Sequence, residues 1–243
     1  MNIRLRISYD GTAYHGWQRQ ENALTVQQLI EEAILKITGS MPSVCGCSRT
    51  DSGVHARSYY CNFYSETKIP CEKIPLALNT ALPQDVRVEE AQIVNDDFHS
   101  RFSAKDKTYR YYIRNSHVSD AFSGRYSYLV PVSLDLESMR TAAEYFVGTH
   151  DFTAFMASGG QQKTTVRTVN HLTVEKNQNM ICIEINANAY LYNMVRIIAG
   201  TLVYVGMGKI KPEEIPAIID SRDRTRAGIT APAKGLFLYE INY

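Results

Sequence analysis

The chain has 243 residues, 44% of them hydrophobic and 21% charged, so it can bury a sizeable core and is neither a disordered nor a fibrous protein. Lysine and arginine number 26 against 25 aspartates and glutamates, so any nucleic-acid site must be a local patch of basic residues. The five cysteines fit neither a disulfide framework nor a common zinc spacing, which favours reduced thiols.

The first half of the chain predicts alternating strands and helices. Ile3, Leu5 and Ile7 alternate with polar side chains, which indicates a strand and resembles no signal peptide. Thr25 and Gln28 form a capping box in front of a helix. The predicted elements of this half are a strand, a helix, a strand, a helix and a strand, at residues 3–7, 26–37, 58–66, 74–82 and 86–94.

A polar segment, residues 95–107, separates this half from a second one with the same element types. The second half predicts strands at 108–114, 166–174, 181–185 and 236–243, and helices at 136–146, at 192–205 and from Lys211 onward. We therefore predict an α+β fold of two domains, residues 1–102 and 103–243. Because no segment is long and apolar enough to span a bilayer, we expect the protein in the cytoplasm.

The segment from Ser48 to Arg57, SRTDSGVHAR, is the first candidate for chemistry. It places a carboxylate, Asp51, two residues from Arg49 in a non-periodic stretch between apolar strands. The nearby guanidinium favours the ionised carboxylate, which suits a nucleophile or a general base. By itself, however, the pattern favours an Asx-type turn before Gly53 over catalysis. We interpret His55 as a structural residue rather than a second acid or base.

Aromatic and basic residues also alternate in the predicted strand 108–114. Tyr109 and Tyr111 share one face and Arg110 lies on the other, which suits stacking on an unpaired base and pairing with phosphate. Packing alone explains tyrosines in a half-buried strand equally well. In the predicted helix 192–205, Arg196 lies among apolar residues. A core-facing arginine there needs an aspartate or glutamate partner, whereas an exposed one does not.

The sequence lacks several motifs that mark cofactor-dependent enzymes. It contains no glycine-rich nucleotide-binding loop, no metal-ligand spacing and no nucleophile elbow. Gly206 and Gly208 follow a predicted helix rather than precede one, so we interpret them as its end. We therefore expect chemistry that uses neither a metal nor another cofactor.

SRTDSGVHAR resembles the G-R-T-D-x-G-V-H-A signature of the tRNA pseudouridine synthase A family, the TruA family. Further segments resemble the blocks of that family in the same order: ISYDGTAYHGWQRQ, TVQQLIEEAI, ALNTALP, FHSRFSAKDKTYRYYI, VGTHDF, AYLYNMVRIIAGTLVYVGMGK and TAPAKGLFL. The resemblance covers essentially the whole chain. Ser48 replaces a glycine of the signature, and Ile229 replaces a proline. Both changes bear on loop geometry rather than on the reaction.

The resemblance implies the pseudouridine-synthase fold, two α+β domains with mainly antiparallel sheets and a catalytic cleft between them. It also implies a homodimer that needs no cofactor and isomerises uridines 38 to 40 in the anticodon stem-loop of tRNA. By position, Asp51 matches the catalytic aspartate, and Arg49 matches the arginine that helps to extrude the target nucleotide. Tyr109 matches the tyrosine that stacks on the uracil, and Arg196 matches the arginine that pairs with the catalytic carboxylate.

Two other classes of function stay open at this point. The chain could be a module that binds tRNA without modifying it, or an enzyme that acts on a small molecule. The intact Asp51 weighs against the binding module, and the near-neutral charge gives slight support to the small-molecule enzyme. An affinity for tRNA that falls with salt would exclude a small neutral substrate, because phosphate contacts release counterions.

Overall fold

The computed structural model describes residues 1–160 and 163–243, and the chain divides into two compact units. Unit 1 contains Met1–Lys105 together with Phe237–Tyr243, and unit 2 contains Asp106–Leu236. The domains expected from the sequence, 1–102 and 103–243, stay a prediction about folding. The compact units differ from these two domains mainly in the last strand. Its first residues pair with the third strand of unit 1, and Phe237–Tyr243 belong to that unit rather than to unit 2.

The elements in chain order are β1 (Asn2–Tyr9), α1 (Val26–Thr38), β2 (Cys45–Gly46), β3 (His55–Tyr64), α2 (Ile74–Asn79), β4 (Val86–Val94), β5 (Asp106–Asn115), β6 (Tyr128–Val130), α3 (Leu136–Glu144), β7 (Gly148–Asp151), β8 (Val166–Asn177), β9 (Met180–Ala187), α4 (Met194–Gly206), α5 (Ile215–Ser221) and β10 (Leu236–Asn242). The strands and helices expected from periodicity are all present. No helix among the described residues is both long and apolar enough to cross a membrane.

In unit 1, a mainly antiparallel sheet carries the segment Ser48–Arg57. Strand β1 pairs in antiparallel fashion with β4 on one side and with β3 on the other, and the short β2 adds to β3. Strand β10 lies parallel to β3. Ile3, Leu5 and Ile7 are fully buried, as their alternation predicts. The sheet therefore gives a fixed base to the loop that leads into β3.

Helix α1 begins and ends as its sequence predicts. The Thr25 side chain accepts a hydrogen bond from the Gln28 N–H, and Gly39 closes the helix in the left-handed conformation with φ of 75°. Such a residue is the usual helix stop, because glycine has no Cβ to clash there. Val26, Ile30 and Ile34 lie one helical turn apart and are buried.

In unit 2, strands β5, β9, β8 and β7 are antiparallel neighbours in that order, and β6 lies parallel to β5. Helix α4 contacts β5, and α3 contacts α4 and β8. Gln178, in the predicted turn between β8 and β9, has a positive φ of 53°. Tyr109, Tyr111 and Ile113, which the alternation places on one face of β5, are all buried.

The structure adds three short strands to the predicted elements and shifts several of their ends. Strands β2, β6 and β7 were not expected, because two to four residues are too few to show a period of two. Helix α3 ends at Glu144 rather than at Phe146. The Phe146 N–H donates to the Ala143 carbonyl three residues back, so the chain tightens into a final turn that is no longer α-helical.

Candidate active site

Asp51 is the first residue of a tight turn that enters β3. The Val54 N–H donates to the Asp51 main-chain carbonyl over 3.1 Å, and Gly53 has a φ of +77°. A β-turn whose third residue alone has positive φ is of type II, and glycine is the residue that adopts this conformation cheaply. Asp51 is half-buried and Ser52 is exposed. The turn therefore fixes the backbone that carries the carboxylate.

A second segment, Tyr14–Trp17, lies against this turn. The Gly53 N–H donates to the Tyr14 carbonyl over 3.2 Å, and the Trp17 N–H donates to the Thr50 carbonyl over 3.2 Å. Between them, Gly16 has a φ of +82°, and a Cβ built there would lie only 2.3 Å from the Thr50 oxygen. The two segments can approach this closely only because Gly16 has no side chain.

Buried tyrosines support the loop from within unit 1. The Trp17 ring stacks on Tyr59, with centroids 4.1 Å apart, and the Tyr59 hydroxyl hydrogen-bonds to the Ser48 backbone. Burial raises the pKa of Tyr59 well above its usual value, so the phenol stays protonated and can donate to the Ser48 carbonyl. A second hydroxyl, that of Tyr9, lies 2.8 Å from Thr50 Oγ1.

Ser48, where the family signature has glycine, causes no backbone strain. Among the described non-glycine residues, positive φ occurs at Gln178, Asn193 and Arg222. Ser48 is not one of them, so serine adopts the conformation of this position without penalty. This removes the expected effect of the substitution on loop geometry.

His55 is a buried structural residue. Its side chain is 1% exposed, and its Nδ1 accepts a hydrogen bond from the Gly11 N–H over 3.0 Å. The imidazole also stacks on Phe237, with ring centroids 4.6 Å apart. It thus ties the start of β3 to the loop after β1 and to β10.

Arg196 lies in the first turn of α4, in unit 2, and its guanidinium is held by two oxygens. Its Nε donates to the Ala231 carbonyl over 2.8 Å, and its Nη1 donates to Asn193 Oδ1 over 2.7 Å. Asn193 has a positive φ of 60°, a conformation that asparagine tolerates better than most residues. These bonds fix the direction of the guanidinium, and its pairing with Asp51 stays a prediction.

Tyr109, also in unit 2, lies in the middle of β5 opposite Ile185. Its ring meets Tyr190 edge to face, with centroids 4.9 Å apart. The Tyr190 hydroxyl lies 2.8 Å from the Lys107 carbonyl and 2.9 Å from that of Ile185, which fixes the Tyr190 ring against the sheet. On the other face of β5, Arg110 forms an ion pair with Glu184 at 2.6 Å. Arg110 is therefore engaged within the sheet.

Arg49 is exposed and lines a cavity of unit 1 beside the loop that carries Asp51. Arg101 and Phe102 line the same cavity, although the sequence suggested only a domain boundary there. The signal that could have revealed them is an arginine and an aromatic residue adjacent in a polar, non-periodic segment. Within residues 1–160 and 163–243, no group of three or more His, Cys, Asp or Glu side chains could hold a metal ion.

Comparison with known proteins identifies the family. A family model described as tRNA pseudouridine synthase matches residues 6–103 and 142–243. The chain belongs to the tRNA pseudouridine synthase family. Relatives named tRNA pseudouridine synthase A include those of Thermoanaerobacter sp. (strain X514), 52% identical, and of Acetivibrio thermocellus, 51% identical. Both alignments extend over 242 residues, which is 100% of this chain and 99% of each relative.

Among solved structures, the archaeal box H/ACA sRNP Nop10–Cbf5 complex matches with a TM-score of 0.39 and 10% identity, covering 84% of this chain and 42% of that chain. The family match and the mixed architecture of both units confirm the predicted α+β pseudouridine-synthase fold with mostly antiparallel strands. Within this tRNA pseudouridine synthase, Asp51 and Arg49 belong to unit 1, and Tyr109 and Arg196 belong to unit 2.

Proposed function

We propose that this protein converts uridine to pseudouridine at positions 38 to 40 of the tRNA anticodon stem-loop, with Asp51 as the catalytic carboxylate. Membership of the family, with relatives of about 50% identity over the full chain, supports an isomerase that acts on uridine in tRNA. The observation that carries the choice of Asp51 is its place in a rigid, half-buried turn two residues from an exposed arginine.

The reaction breaks the N1–C1′ glycosidic bond, rotates the uracil and joins its C5 to C1′. Atoms and electrons balance within one nucleotide, because the proton lost from C5 is matched by the proton gained at N1. An ionised Asp51 could add to C6 of the base, attack C1′, or remove the C2′ proton. All three routes need a fixed carboxylate rather than a mobile one, and the type II turn at Asp51 provides the fixed backbone.

The other proposed roles concern the extruded nucleotide and the carboxylate itself. A uridine inside a stem-loop must leave its stack to be reached, at a cost of about a few kcal/mol. Arg49 contacts the extruded nucleotide and Tyr109 stacks on the uracil, which offsets this cost. Arg196 pairs with Asp51 and keeps it ionised. Its bonds to Asn193 and Ala231 restrict the guanidinium to one direction, as such a role requires.

Mapping pseudouridine in unmodified tRNA tests the proposal. Purified wild-type protein and the variants Asp51→Asn and Asp51→Ala are incubated with the transcript, and the product is located by carbodiimide-dependent stops of reverse transcription. We expect stops in the anticodon stem-loop with wild type only, and a rate below about one thousandth of wild type for both variants. Asp97→Asn, which neutralises an exposed carboxylate of unit 1, is the matched control and should retain activity.

Measurable turnover by Asp51→Asn or Asp51→Ala, with contamination excluded, would remove Asp51 from the chemistry. A wild-type protein that binds tRNA without forming pseudouridine would instead support the alternative, a catalytically silent tRNA-binding module. We also propose that the enzyme is a cytoplasmic homodimer, as the resemblance implies.

A further inference from the structure

Unit 1 contains a cavity of about 210 Å³ next to the catalytic loop. The residues that line it include Trp17, Ser48 and Arg49, together with Arg101 and Phe102. Pockets that enclose drug-sized ligands measure roughly 300–1,000 Å³. The cavity is therefore too small for a whole nucleotide but can accept one charged group such as a phosphate.

The charge at the cavity is positive. Arg49 and Arg101 are both exposed, and in residues 1–160 and 163–243 neither guanidinium has a hydrogen bond or an ion pair. No aspartate or glutamate occurs among the described residues that line the cavity. Two guanidinium groups with free N–H donors match the geometry of phosphate oxygens, and arginine is the residue most often used for that purpose.

An exposed aromatic ring, that of Phe102, also lines the cavity. Phe102 is 76% exposed, so its ring is accessible to a ligand. Two neighbouring side chains contact the Phe102 ring. The His99 ring centroid lies 4.3 Å from the Phe102 centroid, and the Arg101 Cζ lies 5.7 Å from it. An exposed ring with a guanidinium beside it is the arrangement on which unpaired bases stack.

Buried amides hold this segment in place. Asn2 and Asn62, both nearly inaccessible, hydrogen-bond to each other over 3.0 Å, and Asn2 Nδ2 donates to the Phe98 carbonyl over 2.9 Å. Asn62 Oδ1 accepts from the Ser100 N–H over 2.9 Å. Buried amides are costly unless they are bonded, and these two use their bonding capacity to fix residues 98–100. Arg101 and Phe102 are thus presented on a preformed loop.

We propose that this cavity and the exposed Phe102 ring together bind the nucleotide adjacent to the target uridine, with only the phosphate inside the cavity. The phosphate that joins it to the extruded uridine contacts Arg49 and Arg101, and its base stacks on Phe102. Arg49 and Asp51 are two residues apart, which places their backbones within about 7 Å of each other. That distance is close to the spacing of neighbouring phosphates in a single strand. The inference rests on the proposed function, because it takes the uridine to react at Asp51.

Equilibrium binding of an unmodified tRNA transcript tests the proposal without any need for turnover. All proteins carry Asp51→Asn, so that the RNA does not change during the titration, and filter retention is measured over a range of salt concentrations. Arg101→Ala should weaken binding and lower the salt slope by about 0.7 to 0.9, the value of one lost phosphate contact. Phe102→Ala should weaken binding about fivefold or more without changing the slope, and Phe102→Trp should restore the affinity.

Lys68→Ala and Leu76→Ala are the matched controls, since they remove an exposed cation and an exposed apolar side chain elsewhere in unit 1. Affinities of Arg101→Ala and Phe102→Ala equal to those of the controls would overturn the proposal. So would an unchanged salt slope for Arg101→Ala, or a Phe102→Trp variant that binds as weakly as Phe102→Ala. If the Asp51→Asn protein binds tRNA but wild type forms no pseudouridine, the proposed function fails. The binding measurements still test the nucleotide site in that case. An Asp51→Asn protein without affinity for tRNA overturns both the proposed function and the nucleotide site.

Discussion

At the scale of single residues, Gly16 determines how closely two loops approach at Asp51. It has a positive φ of 82°, and a Cβ there would lie 2.3 Å from the Thr50 oxygen and 3.1 Å from the Asp51 carbonyl carbon. Both distances are shorter than, or at the limit of, normal van der Waals contact. A side chain at position 16 must therefore displace the backbone that carries the Asp51 carboxylate.

Gly16→Ala should destabilise the protein and lower turnover. Gly39→Ala is the matched control, because Gly39 also has positive φ, at 75°, but a Cβ there meets nothing within 4 Å. We expect Gly39→Ala to lower the free energy of unfolding by about 1–2 kcal/mol through backbone strain alone, with turnover retained. Gly16→Ala should lower the free energy of unfolding by more than Gly39→Ala does, and it should also lower turnover. Urea denaturation and single-turnover rates measure both quantities, and equal effects of the two variants would contradict the steric argument.

The residues of the segment Ser48–Arg57 could be predicted from the sequence, but Arg101 and Phe102, which line the same cavity as Arg49, could not. Gly53 follows Asp51 at the spacing of a type II turn, so the turn at 51–54 can be expected from local chemistry alone. Arg101 and Phe102 lie in a segment without periodicity. Their presentation depends on Asn2 and Asn62, which are distant in sequence and reach the segment through two different strands. Such non-local hydrogen bonds leave no pattern in one sequence.

At the scale of elements, the N-terminus of α4 differs from its predicted start at Tyr192. The helix begins at Met194, because Asn193 adopts the left-handed conformation with φ of 60° and cannot belong to a right-handed helix. Apolar periodicity extends through this residue and does not reveal its conformation. The same asparagine accepts the Arg196 hydrogen bond, so the helix start and the direction of the guanidinium depend on one residue.

Substitutions of Asn193 separate these two effects. Asn193→Gly keeps the backbone conformation at no strain but removes the acceptor of Arg196 Nη1, whereas Asn193→Asp retains an oxygen there. Hydrogen bonds to charged groups contribute about 1.5–3 kcal/mol to stability, so Asn193→Gly should lower the free energy of unfolding by up to about that amount. We also expect its turnover to fall about tenfold or more, because the guanidinium is no longer held in one direction. Asn193→Asp should retain most of the activity. Equal activities of Asn193→Gly and wild type would show that Arg196 needs no such anchor.

At the scale of the whole molecule, the chain returns to its first unit at the end. Phe237 and Leu238 pair with β3, and the Phe237 ring stacks on His55 just after the turn at Asp51. The terminal residue packs on the same unit, since the Tyr243 ring contacts Tyr60 and Phe98 at centroid distances of 5.4 and 5.0 Å. The order of predicted elements contains no information on which half receives the last strand, because either sheet offers an edge to it.

Deletion of residues 237–243 should therefore destabilise the fold of unit 1, although these residues lie at the end of the chain. The truncated protein loses a strand beside β3, the ring stacked on His55, and the Tyr243 hydroxyl that donates to the Ser100 carbonyl over 2.9 Å. We expect loss of the cooperative unfolding of unit 1 and loss of activity, measured by hydrogen exchange of the β1 and β3 amides and by turnover. Tyr243→Phe is the control, since it retains the ring contacts and removes one hydrogen bond, which contributes about 0.5–1.5 kcal/mol. Protected β1 and β3 amides in the truncated protein would mean that unit 1 folds without its last strand.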